Sequence, residues 1–275
     1  MSQPQQPAPG TDEDDTPTSR TLPRDRNANS NNNPSNSTST STTNDTAKIS
    51  NILILMTGGT ICSVKSSSGL VPAGNFLETC MACRPSFNDG SAPTTLDVVV
   101  DVEDNPSDPS TSSTTTTTTT PTTTIPYKAL TTPISEYARR IRYCVYEFTP
   151  LLDSSAVDST TWLKIVRLIY ANYDAFDGFV VLHGTDTMAY SASALSFMLQ
   201  DLGKPVVLTG SQRPMGELLN DATDNLLGSL VCAAHFCVPE VTVYFNYKVS
   251  VYECALELLT HRPRLRLRTT SLTSL

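Results

Sequence analysis

The sequence predicts an α/β fold built on a parallel sheet. Two observations carry this. Short runs that are apolar at every position recur along the chain, as strands buried on both faces require. Between them lie segments whose apolar residues repeat with helical spacing, so strand and helix alternate as in right-handed βαβ units.

Taken in order, the first strand is Ile52-Leu53-Ile54-Leu55-Met56, which stops at Thr57-Gly58-Gly59-Thr60. Gly69, Pro72 and Gly74 mark turns, and Leu96–Val102 has strand character in an acidic setting. Tyr143–Phe148 is strand-like. Asp158 and Ser159 are candidate caps for a helix whose apolar positions include Trp162, Ile165, Val166, Ile169 and Tyr170. Gly178–Leu182 is a buried strand ending at His183-Gly184. Thr187–Leu202 reads as a helix closed by Gly203. Pro205–Leu208 is a strand ending at Thr209-Gly210-Ser211, Asn220–Phe236 a helix, and Val241–Phe245 a further strand.

Two stretches stand outside this pattern. Residues 1–48 form a low-complexity tail, rich in Asn, Ser and Thr, whose large apolar residues before position 48 are Met1 and Leu22. Residues 105–126 form a Ser/Thr/Pro-rich insert that includes the threonine run Thr114–Thr120. Neither stretch buries enough apolar surface to offset the entropy of ordering it. The structured region is therefore residues 49–246, enough for one well-packed domain.

Charge follows the same division. The chain of 275 residues holds 19 Lys+Arg and 27 Asp+Glu, a net −8. The excess acid lies in the N-terminal tail and in Asp97, Asp101, Glu103, Asp104 and Asp108, which leaves the rest neutral. No basic groove for nucleic acid results. No apolar run reaches the ~18 residues of a membrane span, and the N-terminus lacks a secretory signal core. Seven Cys without framework spacing point to free thiols and a cytoplasmic location.

In open α/β sheets, ligands bind beyond the carboxyl ends of the strands. There the chain places Thr57-Gly58-Gly59-Thr60, Asp153-Ser154-Ser155, His183-Gly184-Thr185-Asp186-Thr187 and Thr209-Gly210-Ser211-Gln212. No phosphate loop with its lysine, no G-x-G-x-x-G and no G-x-S-x-G elbow is present. Cys80-Met81-Ala82-Cys83 cannot complete a tetrahedral zinc site alone, so neither metal nor cofactor is expected. Hydroxyls with a carboxylate at Asp186 suit a small zwitterion, with Asp186 facing its ammonium and Asp153 and Ser154 its carboxylate. The plainer alternative is that Thr60 and Thr185 merely cap helices.

Together these motifs resemble the L-asparaginase family in its cytosolic, type I-like branch. The carriers are Thr57–Ile61, Thr149–Ser155, Asp177–Tyr190 and Lys204–Gln212. The resemblance implies a flavodoxin/Rossmann-like parallel α/β N-terminal domain. It implies hydrolysis of L-asparagine to L-aspartate and ammonia through an acyl-threonine. In that scheme Thr60 is the nucleophile. Thr185 and Asp186 form the second catalytic group, and Asp186 also binds the substrate amine. Asp153, Ser154 and Ser155 grip the substrate carboxylate, and Ser211 lines the amide end. Homodimers or homotetramers are implied for the complete family fold.

The sequence departs from the pattern at three places. Leu70 stands where the family often carries a tyrosine. Ala222 stands where it usually carries glycine. Beyond Asn246 the likeness stops: Glu257 occupies about the position of the catalytic lysine, no lysine follows Lys248, and residues 247–275 are off-pattern. The expectation is a chain lacking the smaller C-terminal domain, with an unpaired sheet edge after the strand at Val241–Phe245. The alternative function is then an inactive fragment or pseudoenzyme that binds asparagine, aspartate or a full-length partner.

Overall fold

The computed structural model describes residues 48–67, 69–102, 121–236 and 238–251, and the backbone of 270–271. The N-terminal tail to residue 47, most of the insert and Glu257 lie outside these residues. A nine-stranded sheet runs through the domain in the order β11-β10-β9-β8-β7-β1-β6-β5-β4. Its centre is parallel: β1 (Lys48–Gly58) lies between β6 (Arg139–Leu152) and β7 (Gly178–Leu182), followed by β8 (Val206–Thr209) and β9 (Val241–Phe245). Both flanks are antiparallel. On one side β5 (Thr122–Thr131) and β4 (Thr94–Asp101) extend β6, and on the other β10 (Lys248–Val251) and β11 (Thr270–Ser271) extend β9. A small hairpin, β2 (Ser63–Ser66) with β3 (Gly69–Pro72), stands apart from the sheet.

The central strand explains the two-sided core. Ile52 to Met56 are fully buried. Ile52, Ile54 and Met56 join a cluster with Leu226 and Leu230 of α3 (Ala222–His235). Leu53 and Leu55 join a second cluster with Ile165, Leu168 and Ile169 of α1 (Ser159–Ala171) and Leu195 of α2 (Met188–Met198). Alternate side chains of a strand point to opposite faces, so a run without polar residues needs a helix layer on each. Each such side chain contributes ~1.5–3 kcal/mol on burial, as an upper estimate.

Four expectations are corrected. The insert does not extend to Pro126, because Thr122–Ala129 pairs residue by residue with β4. Threonine is β-branched and favours strands, so a Thr-rich segment can read as low complexity and still form a ladder. Tyr170 is 83% exposed, and Leu168 takes its place in the core. With Ile165 and Ile169, Leu168 completes a stripe one turn apart, while Tyr170 lies about 100° round from Ile169. Helix α2 ends at Met198 rather than Leu202, where Leu199 begins a bend and Asp201 takes a left-handed conformation (φ 54°). The segment after Asn246, expected to lie outside the domain, begins inside the sheet: β10 turns back at Asn246-Tyr247 and pairs with β9, so the strand edge expected to lie open is covered. Among the described residues no helix is long and apolar enough to cross a membrane.

Helix α1 starts where the sequence places its cap. Asp158 Oδ1 accepts from the backbone N–H of Thr161 (2.9 Å) and from the hydroxyls of Thr160 (2.6 Å) and Thr161 (3.0 Å). The Thr160 hydroxyl and then the Thr161 donors hold its carboxyl down at about 2, from an ordinary 3.8. A folded-state value below the unfolded one means a contribution present above the unfolded value and lost as pH falls through the folded one. Asp158→Ala should lower the thermal midpoint near neutral pH, and this difference should vanish as pH falls from 3.8 through about 2. Scanning calorimetry across that window checks it. An equal deficit at both ends would mean that the carboxylate charge is irrelevant to the cap.

Candidate active site

The sheet order puts a topological switch beside β1. The chain leaves β1, returns on one side as β6 and then crosses to the other as β7. Adjacent connections diverge at such a point and leave a crevice at the strand carboxyl ends. The loops after β1, β6, β7 and β8 all open there, and they carry every sequence-predicted site residue: Thr60, Asp153, Ser154, Ser155, Thr185, Asp186 and Ser211.

Glycines let these loops touch backbone to backbone. A Cβ on Gly58 would lie 2.0 Å from the Leu152 carbonyl oxygen. One on Gly59 would lie 2.6 Å from the Gly184 Cα, and one on Gly184 would lie 2.5 Å from the Ser154 Cβ. One on Gly210 would lie 2.3 Å from the His183 carbonyl oxygen. Hydrogen bonds tie the same seams. Gly59 N–H donates to Leu152 O (3.0 Å) and Thr57 Oγ1 to Leu182 O (2.9 Å). Thr187 Oγ1 donates to Ser154 O (2.6 Å) and His183 N–H to Thr209 O (2.8 Å). Thr60, Thr185 and Ser154 thus sit on, or directly beside, backbones in van der Waals contact.

The hydroxyls divide into two groups. Those of Thr57, Thr187, Thr209 and Ser211 donate to backbone carbonyls and fix the loops; Ser211, 1% exposed, donates to Arg213 O at 2.6 Å. Those of Thr60 and Thr185 have no protein partner among the described residues. Neither caps a helix. The 3-10 turn Thr60–Cys62 is preceded by Gly59, and α2 by Thr187, each without a side-chain cap bond. The plain capping alternative therefore does not describe either threonine.

Asp153 is exposed and closes its own turn. Its Oδ1 accepts from Ser155 N–H (3.0 Å) and Ser155 Oγ (2.9 Å), and these bonds hold its carboxyl below the usual carboxylate value. Ser154, 4% exposed, is thereby wedged against Gly184. Asp186 is exposed, one residue beyond Thr185.

Sequence reading misses the residues that brace the loops. His183 is fully buried. Trp162 Nε1–H donates to Ser191 Oγ (2.9 Å), Ser191 donates to His183 Nε2 (2.8 Å), and His183 Nδ1–H donates to the Gly184 carbonyl (2.7 Å). The Gly184 carbonyl only accepts, so the proton of the neutral ring sits on Nδ1 and Nε2 is left to accept from Ser191. Burial lowers the His183 pKa and keeps the ring neutral. Ser191→Ala removes the partner of a buried nitrogen and should cost about 1–3 kcal/mol in denaturant unfolding. An unchanged midpoint would show that His183 needs no donor. On the β8 side, Asp221 accepts from Gln212 and Arg213 N–H instead of capping α3. Asn225 donates to Gly210 O (2.9 Å) and accepts from Asn246 N–H (3.0 Å). A His in the third motif was the available signal for the first brace. The others depend on long-range packing.

Leu70 lies exposed in β3, and Ala222 is buried at the start of α3. Among the described residues no cluster of His, Cys, Asp or Glu could hold a metal ion.

Several known proteins resemble this chain. The family described as Asparaginase, N-terminal, matches residues 51–256. L-asparaginase 1 of Escherichia coli K12 is 36% identical over 199 residues, which is 72% of this chain and 45% of that protein. A 60 kDa lysophospholipase of Mus musculus is 48% identical over 195 residues, 71% of this chain and 30% of that protein. The crystal structure of L-asparaginase I from Vibrio cholerae superposes with a TM-score of 0.52 at 34% identity, covering 81% of this chain and 51% of that one. The chain therefore spans about half or less of the length of these relatives.

Proposed function

This chain belongs to the asparaginase family, and on that premise we propose that its crevice binds L-asparagine and hydrolyses it to L-aspartate and ammonia. The observation that carries the reading is the pair of hydroxyls at Thr60 and Thr185, set by touching glycines and not engaged with any described protein group.

Thr60 Oγ attacks the side-chain amide carbon as its proton is withdrawn. The tetrahedral oxyanion is stabilised by backbone N–H groups around Gly59 and Gly184, the largest electrostatic contribution in acyl transfer. The C–N bond breaks, the nitrogen takes a proton and ammonia leaves, with an ester on Thr60. Water then attacks the ester carbon, releases aspartate and returns the proton to Thr60 Oγ. Thr185 and Asp186 act as the second catalytic group, and the Asp186 carboxylate holds the α-ammonium. Ser154 and Ser155, in the turn that Asp153 closes, hold the α-carboxylate. Ser211 shapes the amide end through its bond to Arg213 O. Assembly into dimers or tetramers belongs to the same proposal.

A second reading is favoured by one observation: Glu257 stands near the position where the resemblance places a catalytic lysine. On this reading the crevice binds the zwitterion without turnover. Ammonia release from L-asparagine by the purified full chain, with calorimetry against L-aspartate, separates the two. Release supports hydrolysis, heat without release supports binding alone, and neither heat nor release overturns both.

A further inference from the structure

The Cys80-Met81-Ala82-Cys83 pair is not used by the proposed hydrolysis and, among the described residues, belongs to no cluster of three or more metal-ligating side chains, yet its setting is specific. A one-turn π-helix, Leu77–Met81, tightens here into a turn in which Arg84 N–H donates to Met81 O (3.0 Å). Both sulfurs contact Thr79: Cys80 Sγ lies 3.6 Å from Thr79 Oγ1, and Cys83 Sγ lies 3.8 Å from Thr79 O. Cys83 Sγ is also 3.9 Å from the Cys80 carbonyl oxygen. Residues three apart on a helical turn have Cβ atoms about 5–6 Å apart, within a small backbone adjustment of the roughly 3.5–4.5 Å of a disulfide.

Accessibility is graded in the order that thiol exchange needs. Cys83 is exposed and Cys80 half-buried, whereas Cys62, Cys144 and Cys232 are buried. Desolvation pushes those three buried thiols up to about 12, which removes them as competitors.

The turn is wired to the crevice. The Arg84 guanidinium donates to the Cys80 carbonyl, to Cys83 Sγ (4.0 Å) and, through Nη2, to the Met215 carbonyl. Met215 N–H donates to Ile61 O (3.2 Å), one residue past Thr60.

We propose that Cys80 and Cys83 are a reversible dithiol–disulfide site, oxidised by a low-molecular-weight disulfide, whose state is transmitted through Arg84 to the loop at Met215. The Cys83 thiolate attacks one sulfur of the small disulfide, and a thiolate leaves with the bonding pair. The Cys80 thiolate then attacks the Cys83 sulfur and expels the second thiolate. Two cysteine thiols lose two electrons, the small disulfide gains them, and the two cysteine protons end on the two released thiols. Closing the bond draws Cys83 Sγ off the Arg84 guanidinium and loosens its hold on the Met215 loop.

The test equilibrates the full chain in buffers of oxidised and reduced glutathione, alkylates the remaining thiols and maps the peptide carrying both residues by mass. An internal Cys80–Cys83 disulfide in oxidised buffer that reverts in reduced buffer is the expected result. Cys80→Ser should leave Cys83 carrying a glutathione adduct, and Cys83→Ser should leave Cys80 without one. Hydrogen exchange should rise several-fold at the Met215 amide on oxidation of the wild type and remain unchanged in Cys83→Ser. Two unmodified thiols in oxidised buffer, or an adduct on Cys80 first, would overturn the site. A disulfide without altered exchange at Met215 would overturn its link to the crevice.

Discussion

Thr60→Ala is expected to lower ammonia release from L-asparagine by about 10³-fold or more while leaving L-aspartate affinity nearly unchanged. The two effects separate because the hydroxyl serves only the bond-forming step. The groups proposed to bind the zwitterion, at Ser154, Ser155 and Asp186, sit on other loops. The substitution is also structurally mild. Thr60 is half-buried, begins a 3-10 turn and makes no hydrogen bond through Oγ1 to a described residue, so no buried partner is orphaned. Its folding cost should stay within about 1 kcal/mol. Thr60→Ser, which keeps the nucleophile, should restore part of the rate. Rapid quench with mass measurement should find a covalent adduct in wild type and none in the alanine variant. Turnover undiminished in Thr60→Ala would remove Thr60 as nucleophile. If wild type binds aspartate but releases no ammonia, Thr60→Ala should behave identically, and the binding reading stands.

Much of this architecture is legible in the residues because burial on both faces leaves a strong mark. Ile52–Met56, Gly178–Leu182 and Val206–Leu208 contain no polar residue, and a strand between two helix layers is the common explanation. The flanking strands are harder to see. In β5 the exposed face is threonine, proline and lysine and the covered face includes Thr123, Ile125 and Tyr127, so composition resembles a solvated linker while the pairing is regular. In β10 Lys248–Val251 gains its place from the turn at Asn246-Tyr247 and from Asn225, whose side chain takes the Asn246 N–H. The site divides likewise. Strand-end positions for Thr60, Thr185 and Ser211 follow from local pattern. The braces do not: the Asp221 carboxylate, just before α3, reaches back to Gln212 and Arg213, and Ser191 joins α1 to His183. Such roles depend on which elements meet, and no local spacing rule encodes them.

Gly59→Ala carries a large structural penalty at the seam between the loops that bear Thr60 and Thr185. Gly59 has φ 84° and ψ 180°, a region open essentially to glycine alone. The strain there costs about 1–3 kcal/mol. The new Cβ would also lie 2.6 Å from the Cα and nitrogen of Gly184, where backbone rather than a flexible side chain must move. Overpacking of this kind adds about 1–3 kcal/mol, and for a domain of this size the sum lowers the thermal midpoint by on the order of 10 °C. The displacement also separates the two loops that bear Thr60 and Thr185, so ligand affinity should fall with stability. Gly216→Ala is the matched control, since its Cβ would meet nothing within 4 Å, and its effect should stay within about 0.5 kcal/mol. Thermal unfolding and L-aspartate calorimetry on both variants decide the matter. If Gly59→Ala melts with Gly216→Ala and binds as wild type, the loops are not held in contact through Gly59 and Gly184, and the proposed pairing of the two threonines fails with them.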